Sequence, residues 1–329
     1  MGLLRPIVFY QGKLIKLAAF NINRKNYSMK RTFFFLTIIA AGVILLAGCS
    51  KGQNNKALLY RVSGGGLEKP SYILGTHHMA PLSILEGIKG FESAFGSSEI
   101  VAGELLMSDM MALQMAMMPH MAMPEGLTYA GLLSAEDYAI LDEALQRDLG
   151  AGLAMFGGMH PAALNIVYTT TMYANNMPDY DPAQTSIDQH IQLRANEEGK
   201  TVVGLETVED QINAMFYSEP IEVMAQAVVE MAKNPEYYLN QVNELNKYYE
   251  EHNLDKLYEI SFENPDDPFK MEEFELALLK ERNDNWMEQI PPMMRQQAVF
   301  VAVGAGHLPG PDGILTQLRK MGYKVEPVK

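Results

Sequence analysis

The stretch SYILGTHHMAP, residues 71–81, is an apolar run of strand length that breaks off at a glycine, a threonine and two histidines. A β-rich run bounded in this way reads as a buried strand. Three further stretches repeat the arrangement: SEIVAGEL (98–105), KTVVGLE (200–206) and AVFVAVGAGH (298–307). Each ends at a glycine and then offers a side chain able to bind a metal or move a proton. Gly75 is followed by His77 and His78, Gly103 by Glu104, Gly204 by Glu206, and Gly304 and Gly306 by His307. In open α/β sheets the ligand crevice lies outside the carboxyl ends of the strands. Four such ends bring imidazoles and carboxylates to one edge, and glycine there permits close approach or unusual turn dihedrals.

Two weaker stretches, ALLYRVSG (57–64) and YKVEPV (323–328), read as strands at sheet edges. Long segments with helical periodicity separate the strong strands, among them residues 221–253 and 271–290. Asn234-Pro235 breaks the first, because proline removes a helix donor and disfavours helix in the residue before it. Strands separated by helices predict an α/β fold: a central mixed β-sheet flanked by helices, with residues 107–181 inserted as a helical cap.

Charge and the N-terminus narrow the setting. Seven of the 26 Lys and Arg lie in the first 48 residues, which hold no acid, so the rest of the chain carries 19 basic against 40 acidic residues. A nucleic-acid binder needs a clustered positive surface, and none is visible there. The stretch MKRTFFFLTIIAAGVILLAGCS (29–50) has a basic start, a short apolar run and small residues before Cys49, the single cysteine of the chain. It reads as a lipoprotein signal peptide over 29–48, with residues 1–28 an upstream extension and Cys49 the lipidated residue. Residues 49–57 then form a lipidated tether and 58–329 the folded domain. The expected location is a membrane-anchored lipoprotein on the periplasmic or cell-surface side, its stability independent of disulfides.

A donor set of two imidazoles and two carboxylates suits a divalent Mn, Co, Zn or Fe ion with an open position for water, one carboxylate serving as ligand or as general base. The stretches YILGTHH, VAGEL, VVGLETVEDQI, LLKERNDNW and FVAVGAGHLPGPDGILTQLRKMGYKV stand in the order and approximate spacing of the TraB/GumN family, which is similar to the Tiki metalloproteases. The resemblance spans nearly all of the chain after the leader. It implies a metal-dependent peptidase-like domain with His78 and His307 as the motif histidines and Glu104 and Glu206 as the matching acids. His77 stands where the family has an apolar residue and is expected behind the site or incidental to it. Arg282 and Asn283 match an Arg-Asn pair able to orient a carboxylate or carbonyl. Asp188 and Gln211 also match family positions, with a helix cap and a core hydrogen bond as their ordinary explanations.

The expected activity is therefore hydrolysis of a peptide or protein substrate outside the cytoplasm, with catalysis on Glu104, Glu206 and Arg282. The alternatives are a lipid-anchored peptide-binding module without catalysis, a haem or iron lipoprotein, and an esterase of the erythromycin-esterase type. LMSDMMALQMAMMPHMAMP (106–124) departs from the pattern. Its methionines read as apolar packing of the cap, as a groove for variable peptides, or as a thioether site for Cu(I) around His120.

Overall fold

The computed structural model describes residues 55–177, 184–264 and 267–328. The expectations for the leader, Cys49 and residues 49–54 of the tether lie outside them, as does the end of the cap. Residues 52–329 form one compact unit.

The described chain begins with β1 (Leu59–Gly64) and β2 (Ser71–Thr76), then passes through helix α1 (Phe91–Ser97) into β3 (Ile100–Gly103). A helical excursion comes next, with α2 (Met110–Met117), α3 (Ala135–Leu149) and α4 (Pro161–Asn176), before α5 (Ile187–Glu197) leads into β4 (Thr201–Gly204). A second helical run contains α6 (Val208–Phe216), α7 (Ile221–Lys233), α8 (Pro235–Glu250), α9 (Leu254–Phe262) and α10 (Arg282–Gln296). The chain closes with β5 (Val299–Gly304), α11 (Ile314–Lys320) and β6 (Tyr323–Pro327). The break at Asn234-Pro235 falls between α7 and α8 as the proline requires.

The six strands form one mixed sheet in the order β4-β3-β5-β2-β1-β6. The four strong strands, each with a glycine at or next to its carboxyl end, are β4, β3, β5 and β2, neighbours and mutually parallel, so these ends share one edge. Thr76 pairs with Gly304, and Gly103 pairs with both Gly204 and Ala302, which puts the four ends in register. Strand β1 runs antiparallel to β2 and β6. It lies inside the sheet, because β6 adds beyond it. The second edge is β4, where Thr201 is exposed and the next three residues are half-buried. Reading β1 as an edge and β4 as fully buried is thereby corrected: the return of the C-terminal segment decides which strand is last, and no pattern within β1 or β4 encodes it.

Both faces of the sheet are covered, so β5 and β2 are almost continuously buried, as parallel central strands are. The main core gathers Phe91, Phe95, Val101, Phe300, Val301, Trp286, Leu315 and their neighbours around the sheet. A second core joins the excursion to α7 through Leu141, Leu145, Leu164, Tyr168, Val228 and Val229. The expectation that the methionine-rich stretch packs as core does not fit α2. Only its Leu113 is buried, while Met111 and Met115 are 72% and 65% exposed, because this helix lies at the rim of the excursion. His120 there bonds the Tyr217 hydroxyl at 2.6 Å.

Close approach, and not unusual backbone, explains the strand-end glycines: none of Gly75, Gly103, Gly204 and Gly304 has positive φ. A Cβ on Gly75 would stand 3.0 Å from the Ala305 Cα and 3.2 Å from Leu308, and one on Gly103 would stand 2.4 Å from the Gln192 amide. Replacing Gly75 by alanine therefore presses the β2 end against the turn that carries His307. Gly75→Ala is expected to lower stability by about 1–3 kcal/mol, the usual cost of overpacking, read as a fall in the urea midpoint at unchanged slope.

Candidate functional site

Arg282 opens α10, directly after a π-helical turn over Leu276–Glu281, and its side chain reaches under the ends of β3, β4 and β5. Although fully charged, Arg282 is only 6% exposed. Burial on that scale requires that every N–H find an acceptor. All five do. Nε and Nη2 grip Glu206 as a fork at 2.8 and 2.7 Å, and Nη2 also bonds Glu104 at 2.6 Å. Nη1 donates to the Leu278 carbonyl and to His307 Nε2, each at 3.1 Å.

A guanidinium does not give up its proton, so His307 Nε2 must accept, and the ring proton belongs on Nδ1. There it meets Asn283 Oδ1 at 2.8 Å. The amide is held in that sense because its nitrogen donates to the His307 and Asp312 carbonyls. His307 is therefore a neutral imidazole, in accord with a pKa pushed down to about 3 by burial and by the Arg282 and His78 charges, against the pull of Glu104. Trp286, one helical turn beyond Arg282, donates its indole N–H to Glu206 at 3.1 Å. Its ring lies 4.4 Å from His307 and 4.8 Å from the guanidinium carbon.

The two carboxylates are held differently. Burial raises the Glu104 pKa, but His307 in the protonated form it takes in acid, Arg282, His78 and the Gly304 N–H, 2.7 Å from Oε1, outweigh it and hold the group down at about 2. Glu206 is pushed upward by burial and by the facing charge of Glu104, against its fork with Arg282. The start of α6 fixes its position, since the adjacent Thr207 and Asp210 form a reciprocal capping box there. Over β3, Gln192 of α5 bonds the Leu105 carbonyl and the Met107 N–H, filling the space that Gly103 leaves.

His78 lies beside this cluster. Its Nδ1 meets Asp188 at 2.7 Å, and Thr76 holds the other Asp188 oxygen at 2.6 Å. Asp188 is buried in the first turn of α5, and it draws the His78 pKa up to about 9, against burial. The His78 side chain is 56% exposed, so its ring is open to solvent. Its Nε2 has no hydrogen-bond partner among the described residues.

Of the residues singled out in the sequence, Glu104, Glu206, Arg282, His307 and Asn283 form one connected network, with His78 alongside. Asp188 belongs to the site, and not merely to a helix cap. His77 turns away: its ring packs on Tyr173 and Tyr249, and its Nδ1 accepts from the Met79 N–H. Gln211 lies half-buried on α6, with no side-chain hydrogen bond into the network. Sequence reasoning missed Trp286 and Gln192. The i, i+4 spacing of Arg282 and Trp286 was the available signal for the first, and nothing local marked the second.

The expected divalent ion fares differently. It needs imidazole nitrogens and carboxylate oxygens to converge on one point, and here the guanidinium stands there. No group of three or more His, Cys, Asp or Glu is arranged to hold an ion among the described residues. As arranged, His78, His307, Glu104 and Glu206 do not fit one.

The profile of the TraB/PrgY/gumN family matches residues 58–327. The chain belongs to this family. No curated protein and no solved structure matches it. Within this TraB-family chain the match begins at β1 and ends in β6, so it takes in the whole sheet and every member of the network.

Removing the central cation leaves two buried carboxylates unpaired. Arg282→Ala is expected to destabilise the fold by about 3–5 kcal/mol at neutral pH, measured by denaturant unfolding. The acid limb gives the sign. A depressed Glu104 contributes stability above the ordinary glutamate value of about 4.3, lost as pH falls toward about 2. The wild type should lose stability over that window, and Arg282→Ala should not show the same loss.

Proposed function

We propose that this TraB-family chain is a hydrolase of peptide bonds in a peptide or protein substrate, with His78 as the group that exchanges a proton with the substrate. One observation carries the reading. Among the strand-end groups, the His78 ring alone is open to solvent while pinned from behind by a buried carboxylate. Amide hydrolysis requires a proton at the leaving nitrogen, and an accessible imidazole backed by Asp188 is suited to deliver one. Thr76 and the first turn of α5 keep Asp188 in place, so the ring need not be reorganised when substrate arrives.

Arg282 and the two glutamates shape the adjoining wall. With its five N–H groups engaged, the guanidinium orients Glu104 and Glu206 and sets the local field, rather than reaching out to substrate. The lipid anchor at Cys49 belongs to the same proposal and would hold the domain at the outer face of a membrane, where its substrate is a peptide or protein of that compartment.

A metal-dependent version is a second reading, supported by the lone pair of His307 Nε2, which points at the centre of the cluster. It requires Arg282 to withdraw. Metal analysis of the wild type and of Arg282→Ala, each dialysed against Mn²⁺, Co²⁺ or Zn²⁺, separates the two. An ion in the wild type that His78→Ala and His307→Ala lose supports the metal-dependent reading. An ion only in Arg282→Ala makes the arginine the resident cation.

Cleavage is tested by incubating a peptide library with the protein and reading the products by mass spectrometry, with and without chelator. His78→Ala should lower cleavage by about 10²–10⁴-fold in protein that thermal unfolding shows to be folded. Cleavage that persists in His78→Ala removes the histidine from the chemistry. Peptide retention without any cleavage by the wild type establishes a binding module instead.

A further inference from the structure

Beside the histidine turn lies a cavity of about 250 Å³ that the Arg282 network does not use. Its walls include Met79, Pro81, Ile84 and the rings of Tyr173 and Tyr249, with Ser83 exposed at the rim. The same two tyrosines carry the back of the turn. Their rings lie 5.9 and 5.3 Å from that of His77. The Tyr173 hydroxyl donates to Asn246 Oδ1 at 2.8 Å with the Met79 carbonyl also 3.3 Å away, and the Tyr249 hydroxyl donates to the Gly75 carbonyl at 3.1 Å. The cavity and the exposed His78 ring are thus two sides of one short loop, with Met79, the neighbour of His78, in the cavity wall.

The geometry points to a specificity pocket that takes one bulky apolar side chain, such as leucine, methionine or phenylalanine, of a peptide lying across His78. This rests on the reading of the chain as a peptide hydrolase. Size and chemistry agree. Pockets for drug-sized ligands run to roughly 300–1,000 Å³, so this one suits a single side chain. Thioether, isoleucine, proline and aromatic surface offers it dispersion contacts, while the half-buried Asn246 and the exposed Glu250 complete the lining. The aromatic support explains why position 77 is a histidine that packs inward: its ring fills the space between the tyrosines and stiffens the loop that bears His78.

The test uses a pool of short peptides randomised at their central positions. Cleavage is read with the wild type, and retention is read with immobilised His78→Ala. Leucine, methionine and phenylalanine should be enriched at one position by roughly tenfold or more, the discrimination an apolar pocket provides. Ser83→Trp, made at the exposed rim, should move the preference to glycine and alanine. Ile84→Ala should move it toward tryptophan. Thermal unfolding of each variant shows that it is folded, and the rim variant carries the test if the other is not. An unchanged preference in folded Ser83→Trp, or cleavage with no side-chain preference, overturns the pocket and leaves hydrolysis standing. Selective retention by His78→Ala without cleavage by the wild type supports the pocket and overturns hydrolysis. Neither retention nor cleavage overturns both.

Discussion

A single guanidinium with no spare hydrogen is the constraint on which the rest of the site depends. Arg282 is too deeply buried to leave any N–H without an acceptor, and its acceptors come from the turns after β3, β4 and β5 and from the π-helical turn before α10. That demand fixes the tautomer of His307, which in turn fixes the sense of the Asn283 amide and ties the turn after β5 to α10. It also keeps Glu104 and Glu206 apart while they share one cation. A lysine here would supply three donors from one point in place of five in a plane, and it could not satisfy this set of partners.

Against that rigid centre, His78 is the exception. It draws its support from a separate carboxylate, it is reached by solvent, and it borders a cavity lined by α4, α8 and the loop after β2. The contrast between locked residues and one accessible ring is the physical ground for assigning proton transfer to His78 and orientation to the others. Buried charge groups do not add stability simply by being paired, since desolvation offsets much of the attraction. Their persistence here is better understood as holding geometry, with removal of one partner far more costly than replacement of all.

Much of the fold was legible because parallel, doubly covered strands announce themselves as short apolar runs, and four of them ended alike. Once β2, β3, β4 and β5 were parallel neighbours, Glu104, Glu206, His78 and His307 had to gather at one edge. What lay at the centre of that gathering was not legible. Arg282 stands 178 positions from Glu104 and 25 from His307, and a motif says which residues meet without saying which one comes between the others. The expectation of a metal, drawn from the donor set and the family resemblance, placed the arginine outside the donors, whereas the guanidinium lies among them. The bond of Asp188 to His78 and the whole role of Gln192 were hidden for a related reason: each acts across from a helix onto a strand end, a relation that periodicity along α5 does not express. Of the two strands expected at edges, β6 is one and β1 is not, because strand order depends on where the last segment returns.

The placement of β5 also bears on when this architecture can exist. It is the fifth strand along the chain but sits third in the sheet, between β3 and β2, so the two earlier parts have no shared neighbour until residue 304 is present. Before then the β1–β2 hairpin and β3 expose unpaired edges, and the pairings that close them span roughly two hundred residues or more. Such long-range closure is slow and leaves intermediates exposed. Synthesis must therefore pass residue 307 before the network assembles, and a chain truncated before β5 has neither a closed sheet nor the turn that carries His307.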